Sequence, residues 1–321
     1  MMRLTLLWSV PALFAVYMPS CTTPSVRPTM PPWEARMTEL WELPSDLATR
    51  DLFYGPWGRD NAPDANATFT FVRAKDHGTN PGVIVTDPRG REWHVKQPPH
   101  NDQGAEGPIE VVLSRVLSAV GYHQPPVYYL PRWTISGGPS SRVQPEGRSR
   151  PKHTGLKDEG EWSWQENPFV GTRPYNGLRV LMMILNESDL KDSNNTLYEV
   201  NEPGDKRNAA RHWYVVRDIG TALGETGRLN PQRNDPALFE RIRFINRVKN
   251  GAVDFNYHGR HQELADHIAP EDVRWMSDLL AQLRIEQWRD AFRAGGYDAA
   301  TSERFIARIR EKIAEGQALT R

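Results

Sequence analysis

The segment from Asp189 to Gly220 carries the residue types that phosphoryl transfer requires. Residues 189–194 read Asp-Leu-Lys-Asp-Ser-Asn, and residues 216–220 read Val-Arg-Asp-Ile-Gly. The carboxylate of Asp189 can accept or orient the proton of an attacking hydroxyl, and Lys191 can neutralise charge on the transferred group. Asn194 and Asp218 offer an amide oxygen and a second carboxylate, and oxygen ligands are those that Mg²⁺ prefers. This set of residues predicts a magnesium-assisted phosphoryl-transfer site.

The flanking sequence predicts how these residues come together. Residues 178–185 are almost continuously apolar and too few to span a membrane, so they indicate a buried helix that leads into a polar loop. Residues 196–200 and 212–216 are β-prone runs, which together predict a hairpin. Such a hairpin would bring Asn194, before its first strand, close to Asp218, after its second.

On these motifs, residues 66–225 resemble the protein-kinase-like fold, and they are most similar to atypical members such as the HipA-type kinases and the secreted Golgi casein kinases. The family's loop reads H-R-D-L-x-x-x-N, whereas Glu187 and Ser188 precede Asp189 here, and Ile219 replaces the aromatic residue of D-F-G. The resemblance implies an α+β, two-lobed fold, with a small β-rich N-lobe and a larger α-rich C-lobe. It also implies ATP and Mg²⁺ as cofactors, and transfer of the γ-phosphoryl group to an unidentified hydroxyl acceptor.

The resemblance further implies a strand lysine that holds the nucleotide and a glutamate on the next helix that orients this lysine. Residues 83–96 predict a strand, a turn and a second strand ending at Lys96, and a helix is predicted to begin at Pro108. We expect Glu110, in the first turn of that helix, to be the partner of Lys96. Glu106 is not expected in this role because it lies in a segment flanked by glycine and proline.

Two glycines stand where a nucleotide loop would be expected. Gly78 and Gly82 follow the strand predicted over residues 68–74, but their spacing is not G-x-G-x-x-G. They would let backbone amides approach a phosphate, and an ordinary hairpin turn explains them equally well.

Each candidate residue also has a purely structural interpretation. Lys96 would then be a strand-end lysine in solvent, Glu110 would complement a helix dipole, and Asp218 would cap the next segment. Asp189 and Asn194 would belong to a turn whose side chains bond their own backbone. The joint order of all these residues along the chain favours the kinase-like site.

The amino-acid composition of the chain limits the kinds of partner that it is expected to bind. The chain has 321 residues with 38% hydrophobic content, and its 40 basic and 40 acidic residues give a formal net charge of zero. This balance argues against a general polyanion binder, so nucleic acid is not expected as a partner. Two alternatives to catalysis remain: an exported pseudokinase, and an envelope-polymer-binding lipoprotein that uses some of the 11 tryptophans.

The amino terminus predicts export. A short basic start is followed by an apolar stretch over residues 4–18 and by Cys21, the only cysteine. Cys21 resembles the acylated cysteine of a bacterial lipoprotein, which implies attachment to a membrane in the bacterial cell envelope; removal of the signal without lipidation is the alternative. ATP is not normally supplied outside the inner membrane, and this favours the pseudokinase alternative.

The predicted organisation has five parts. Residues 1–21 are the export or lipoprotein signal, 22–65 a tether, 66–135 the N-lobe, 136–165 an irregular exposed insertion, and 166–321 the C-lobe. The basic residues of the insertion are expected to be solvated, with contact to an anionic substrate as the alternative; they are Arg142, Arg148, Arg150, Lys152 and Lys157. The C-lobe is expected to be helical after Asp218, with helices over residues 236–249, 270–284, 285–294 and 301–315.

Overall fold

The computed structural model describes residues 36–75, 80–98, 106–138, 142–152, 155–201, 212–227 and 232–320. The predicted roles of Cys21 and Gly78 lie outside these residues. Residues Trp33–Arg321 form one compact unit. Within the described ranges, no helix is both long enough and apolar enough to cross a membrane.

The first half of this unit is built on a seven-stranded sheet in the order β4-β7-β3-β2-β1-β5-β6. The strands are β1 (Thr68–Ala74), β2 (Gly82–Thr86), β3 (Glu92–Lys96), β4 (Tyr128–Leu130), β5 (Trp133–Ser136), β6 (Val143–Gln144) and β7 (Gly147–Pro151). The strand pair predicted over residues 83–96 is confirmed: β2 and β3 are antiparallel, and Gly82 lies opposite Lys96. The turn between them closes on Asp87, whose carboxylate accepts the backbone N–H groups of Arg89 and Arg91.

The exposed insertion predicted over residues 136–165 is wrong over residues 147–151, which form strand β7. Strand β7 lies inside the sheet, paired with β3 on one side and β4 on the other. Arg148 is buried on β7, and both it and Arg150 form ion pairs with Glu110. A strand with charged side chains can lie inside a sheet when those charges are paired. The partner of Arg150 is Glu110, 40 residues away in the chain, so the local sequence does not reveal it.

Residues 36–65 are not a tether either. Leu40, Leu47 and Leu52 are buried in the main hydrophobic core. The Trp41 indole donates to the backbone oxygen of Val120 over 2.7 Å. These few apolar residues are widely spaced in a polar, proline-containing segment, so the pattern was too sparse to predict that the segment packs on the domain.

The second half begins with a helix and a small sheet that position the predicted loop. After α1 (Glu106–Ala119), helix α2 (Arg173–Leu185) leads into residues 186–194, and a three-stranded sheet follows in the order β10-β9-β8. Its strands are β8 (Leu156–Asp158), β9 (Asn195–Val200) and β10 (His212–Val216). The predicted hairpin is confirmed: Asn195 lies opposite Val216, and the Arg217 N–H donates to the Asn194 backbone oxygen over 2.8 Å.

The remaining elements are α3 (Pro236–Arg241), β11 (Ile245–Lys249), β12 (Ala252–Phe255), α4 (Pro270–Ala281), α5 (Ile285–Ala294) and α6 (Ala299–Gln317). The helix predicted over residues 236–249 is wrong beyond Arg241. Asn250 and Gly251 have positive φ angles of 53° and 75°, which turn the chain into the β11–β12 hairpin. The α+β class is confirmed, with a strand-rich first half and a helix-rich second half.

Candidate active site

One cleft brings together five of the predicted site residues. It has a volume of 570 Å³ and is lined by Lys96, Asp189, Lys191, Asn194 and Asp218, among others. This volume lies within the roughly 300–1,000 Å³ usual for ligand pockets. Gly82 is not among the lining residues; a Cβ there would lie 2.7 Å from the Val95 backbone oxygen, so close strand packing accounts for this glycine.

The partner of Lys96 is Glu106 and not the predicted Glu110. The Lys96 Nζ lies 3.1 Å from Glu106 Oε2 and 4.0 Å from Asp218 Oδ1. Helix α1 begins at Glu106, two residues before the predicted start at Pro108. Pro108 fits in the first turn because a proline there interrupts no intrahelical hydrogen bond. The other Glu106 oxygen lies 2.9 Å from Arg233 Nη1, so this carboxylate is held from two sides.

Glu110 has a different set of partners. Its side chain is 2% exposed, with Arg148 Nε 3.0 Å from Oε2 and Arg150 Nη2 on Oε1. Although burial alone would raise the pKa of Glu110, the two guanidinium groups hold it below its usual value. Glu110 therefore joins α1 to β7 in a buried ion network.

Asp218 lies at the centre of the positive charge in the cleft. Its Oδ1 is 3.5 Å from Arg148 Nη2, in addition to its approach to Lys96. Burial opposes ionisation of this carboxyl group, but the charges of Arg150, Lys96, Arg148 and Arg217 lower its pKa well below the usual range. Asp218 is therefore an anion at any physiological pH.

The Asp-x-Gly sequence is fixed by backbone geometry. Asp218 has a φ of 50°, in the left-handed region that is uncommon for residues other than glycine. A Cβ on Gly220 would lie 2.9 Å from Glu106 Cβ and 3.1 Å from Glu106 Cα. Only glycine lets this segment approach the start of α1, and that approach brings Asp218 near Lys96.

The loop after α2 holds Asp189 in a set of positive and polar contacts. The Lys191 Nζ donates to Asp189 Oδ2 over 2.8 Å, and the Arg260 Nε lies 3.2 Å from Oδ1. The Asn194 amide donates to the Asp189 backbone oxygen over 2.7 Å. The backbone N–H of Arg260 also donates to the Ser188 carbonyl over 2.7 Å, so a distant segment supports the same loop.

Glu187 joins the two halves of the site, a role that the sequence did not reveal. Its carboxylate accepts the backbone N–H of Asp189 over 2.9 Å and that of Thr221 over 3.1 Å, together with the Thr221 hydroxyl. Burial raises its pKa to about 7, against the lowering effect of these hydrogen bonds. The one available signal was its departure from the family pattern two positions before Asp189.

A buried lysine fixes the start of this loop. Asn186 ends α2 in the left-handed conformation, with a φ of 55°. The Lys312 Nζ, on α6, donates to the Ile184 carbonyl over 2.9 Å and to Asn186 Oδ1 over 2.8 Å. These bonds satisfy a carbonyl group that has no partner within the helix, while burial lowers the pKa of Lys312 well below its usual value.

The donor set fits a hard cation. Asn194 and Asp218 contribute an amide and an ionised carboxylate, and Mg²⁺ commonly takes one or two carboxylates together with substrate phosphates. Among the residues that the structure describes, no group of three or more His, Cys, Asp or Glu side chains is arranged to hold a metal. Asn194 and Asp218 would hold Mg²⁺ in this cleft together with the phosphates of a ligand.

No family model and no curated protein sequence matches this chain. Among solved structures, it is similar to the Helicobacter pylori proinflammatory kinase CtkA, with 12% sequence identity and a TM-score of 0.47. The similarity covers 78% of this chain and 97% of that chain. A likeness at this identity and score assigns neither an activity nor a ligand to this chain.

Proposed function

We propose that this protein is a kinase-like phosphotransferase that moves the γ-phosphoryl group of ATP to a hydroxyl acceptor. The observation that supports this most directly is the approach of Lys96 to both Glu106 and Asp218, with Asp189, Lys191 and Asn194 in the same cleft. These six residues come from strand β3, helix α1, the loop after α2 and the segment after β10. The set includes both the charges that bind phosphate and a carboxylate suited to a hydroxyl.

In this proposal, Lys96 binds the phosphates of ATP and Glu106 holds the lysine in place. Asp189 orients the acceptor hydroxyl and takes its proton as the oxygen attacks the γ-phosphorus. The bond to the bridging oxygen breaks and ADP leaves, while Lys191 stabilises the charge on the transferred group. Mg²⁺, held by Asn194 and Asp218, would neutralise phosphate charge.

The test compares binding with transfer. We expect ATP with Mg²⁺ to raise the melting temperature of the purified protein, because a ligand that binds only the native state stabilises it. Asp218→Ala should abolish this shift. The matched control is Asp254→Ala, because the Asp254 side chain is 42% exposed against 43% for Asp218 and lies on β12, outside the cleft.

Transfer is measured with ATP labelled on the γ-phosphate, by following both release of phosphate to water and labelling of the protein itself. Asp189→Asn should keep the thermal shift and lower transfer by at least tenfold. Binding without any transfer in the unaltered protein would indicate a pseudokinase. No shift with any nucleotide would refute the proposal and favour the envelope-polymer-binding alternative.

We also propose that the chain is exported to the bacterial cell envelope and anchored through Cys21. Support comes from the basic start, the apolar stretch and the single cysteine of the amino terminus. Mass spectrometry of protein extracted from membranes should find an acylated residue 21 at the new amino terminus. An unmodified Cys21, or a mature chain that begins after it, would refute the anchor.

A further inference from the structure

Basic side chains outnumber carboxylates in the cleft. The basic lining residues are Lys75, Lys96, Arg148, Arg150, Lys152, Lys191 and Arg217, and the acidic ones are Glu106, Asp189 and Asp218. Adding Glu110, which contacts two of the arginines, still leaves seven cations against four carboxylates. The whole chain has a formal net charge of zero, so this surplus is a local property of the cleft.

Three of these cations form what we call the arginine cluster: Arg148 and Arg150 on β7, and Arg217 directly before Asp218. Their side chains are 8%, 12% and 26% exposed. Arg148 and Arg150 share the single carboxylate of Glu110, so that carboxylate cannot neutralise both.

The positive charge of Arg217 is compensated even less than that of Arg148 and Arg150. Its Nη1 donates to the hydroxyl groups of Thr196 and Tyr198, over 3.1 Å and 2.7 Å, and these partners are neutral. Its ion pair with Asp158 is long, at 3.9 Å, and the Asp158 side chain is 58% exposed. A surface pair of that kind contributes about 1 kcal/mol or less. Asp218 and Glu110 also attract Arg217, but they already face other cations.

Positive charge is crowded around Asp218. The Lys96 Nζ and the Arg148 Nη2 lie 4.0 Å and 3.5 Å from the same Asp218 oxygen, Oδ1, and Arg217 directly precedes Asp218 in the chain. These cations therefore repel one another at close range. A bound anion would relieve this repulsion, and planar guanidinium groups match phosphate oxygens with paired hydrogen bonds.

We propose that the arginine cluster binds the oligophosphate chain of the phosphoryl donor directly, so that the cleft retains a linear oligophosphate when no divalent cation is present. This inference rests on the proposed function for the identity of the donor. The guanidinium groups would neutralise part of the phosphate charge that a metal ion would otherwise neutralise. The ligand class is a chain of linked phosphates, whether free or as part of a nucleotide.

The test uses the purified full chain, sodium tripolyphosphate as the probe, and EDTA to remove divalent cations. Calorimetry should show binding in EDTA, with an affinity that falls as salt is added. Arg217→Ala should weaken this binding at least tenfold and should fold normally, because Arg217 gives up two hydrogen bonds to neutral hydroxyls and a long pair with an exposed carboxylate.

A second variant guards against loss of fold. Arg150→Gln leaves Glu110 paired with Arg148, whose Nε lies 3.0 Å from Oε2, so the buried carboxylate keeps a counter-charge. This variant should also weaken tripolyphosphate binding at least tenfold. The control is Arg247→Ala, since Arg247 lies on β11 outside the cleft with a side chain 66% exposed, and its binding should equal that of the unaltered protein.

The proposal is overturned if the unaltered protein binds tripolyphosphate only when Mg²⁺ is present, or if both cluster variants bind it normally in EDTA. These outcomes differ from failure of the proposed function. Absence of phosphoryl transfer, with metal-free binding that depends on the cluster, would remove the proposed function and leave the anion site. If the protein transfers phosphoryl groups but binds tripolyphosphate only with Mg²⁺, the arginine-cluster proposal fails and the proposed function stands.

Discussion

Replacing Glu110 or Glu106 with glutamine should separate a structural carboxylate from a functional one. Glu110 is 2% exposed and lies against Arg148 and Arg150, so Glu110→Gln leaves two buried guanidinium groups without their counter-charge. Removing one partner of a buried ion pair costs about 3–5 kcal/mol. We expect the free energy of unfolding to fall by about that amount at neutral pH.

Glu106→Gln should behave differently. The Glu106 side chain is 23% exposed, and its partners Lys96 and Arg233 are 19% and 18% exposed, so water compensates part of the loss of both ion pairs. Partly solvated pairs of this kind contribute about 1 kcal/mol or less. The variant should therefore keep most of its stability and lose affinity for ATP with Mg²⁺, because Lys96 is no longer held in the cleft.

Stability is measured by urea denaturation, followed through tryptophan fluorescence, because Trp93, Trp133 and Trp164 are almost fully buried and change environment on unfolding. The pH dependence provides a second check. The folded-state pKa of Glu110 is below its ordinary 4.5, so its contribution is complete above that pH and is lost as the pH falls through the folded value. The stability gap between the unaltered protein and Glu110→Gln should shrink accordingly in acid.

A structural role for Glu110 is refuted if the free energy of unfolding of Glu110→Gln falls by less than about 1 kcal/mol, the value expected of a surface pair. It is refuted equally if Glu106→Gln is the more destabilised variant, or if Glu110→Gln alone abolishes nucleotide binding while it remains fully folded. Only the last of these results would indicate Glu110 as the functional partner of Lys96.

Two further perturbations test the loops around the cleft. Gly220→Ala places a Cβ 2.9 Å from Glu106 Cβ, so we expect about 1–3 kcal/mol of destabilisation by overpacking and a weaker thermal shift with ATP; unchanged stability in urea would contradict the close approach. Glu187→Gln should flatten the pH dependence of stability. The pKa of Glu187 is about 7 in the folded protein, above its ordinary 4.5. Between these two pH values the folded protein therefore holds a proton that the unfolded chain releases. Stability of the unaltered protein should fall as the pH rises from about 4.5 to 7, by on the order of 3 kcal/mol, and a urea midpoint that is constant across that window would refute this account.

The sequence alone determined the elements whose signals are local. The β9–β10 hairpin is an example: its β-prone runs were readable, and antiparallel pairing then places Asn194 near Asp218 whatever the rest of the chain does. Lys96 at the end of a predicted strand was readable for the same reason. The Asn250-Gly251 turn was equally local, but the helical spacing assigned to residues 236–249, which ends just before the turn, hid strand β11.

Tertiary structure decided which charges are buried and which partners they meet. The carboxylate that reaches Lys96 depends on where α1 begins and how it lies against β3, and Glu106 and Glu110 are one helical turn apart. β7 could not be recognised as an inner strand, because Glu110, on which both of its buried arginines depend, lies about 40 residues away. A charged side chain is buried only when a partner compensates its lost hydration, and such partners are brought together by the fold, not by neighbouring sequence.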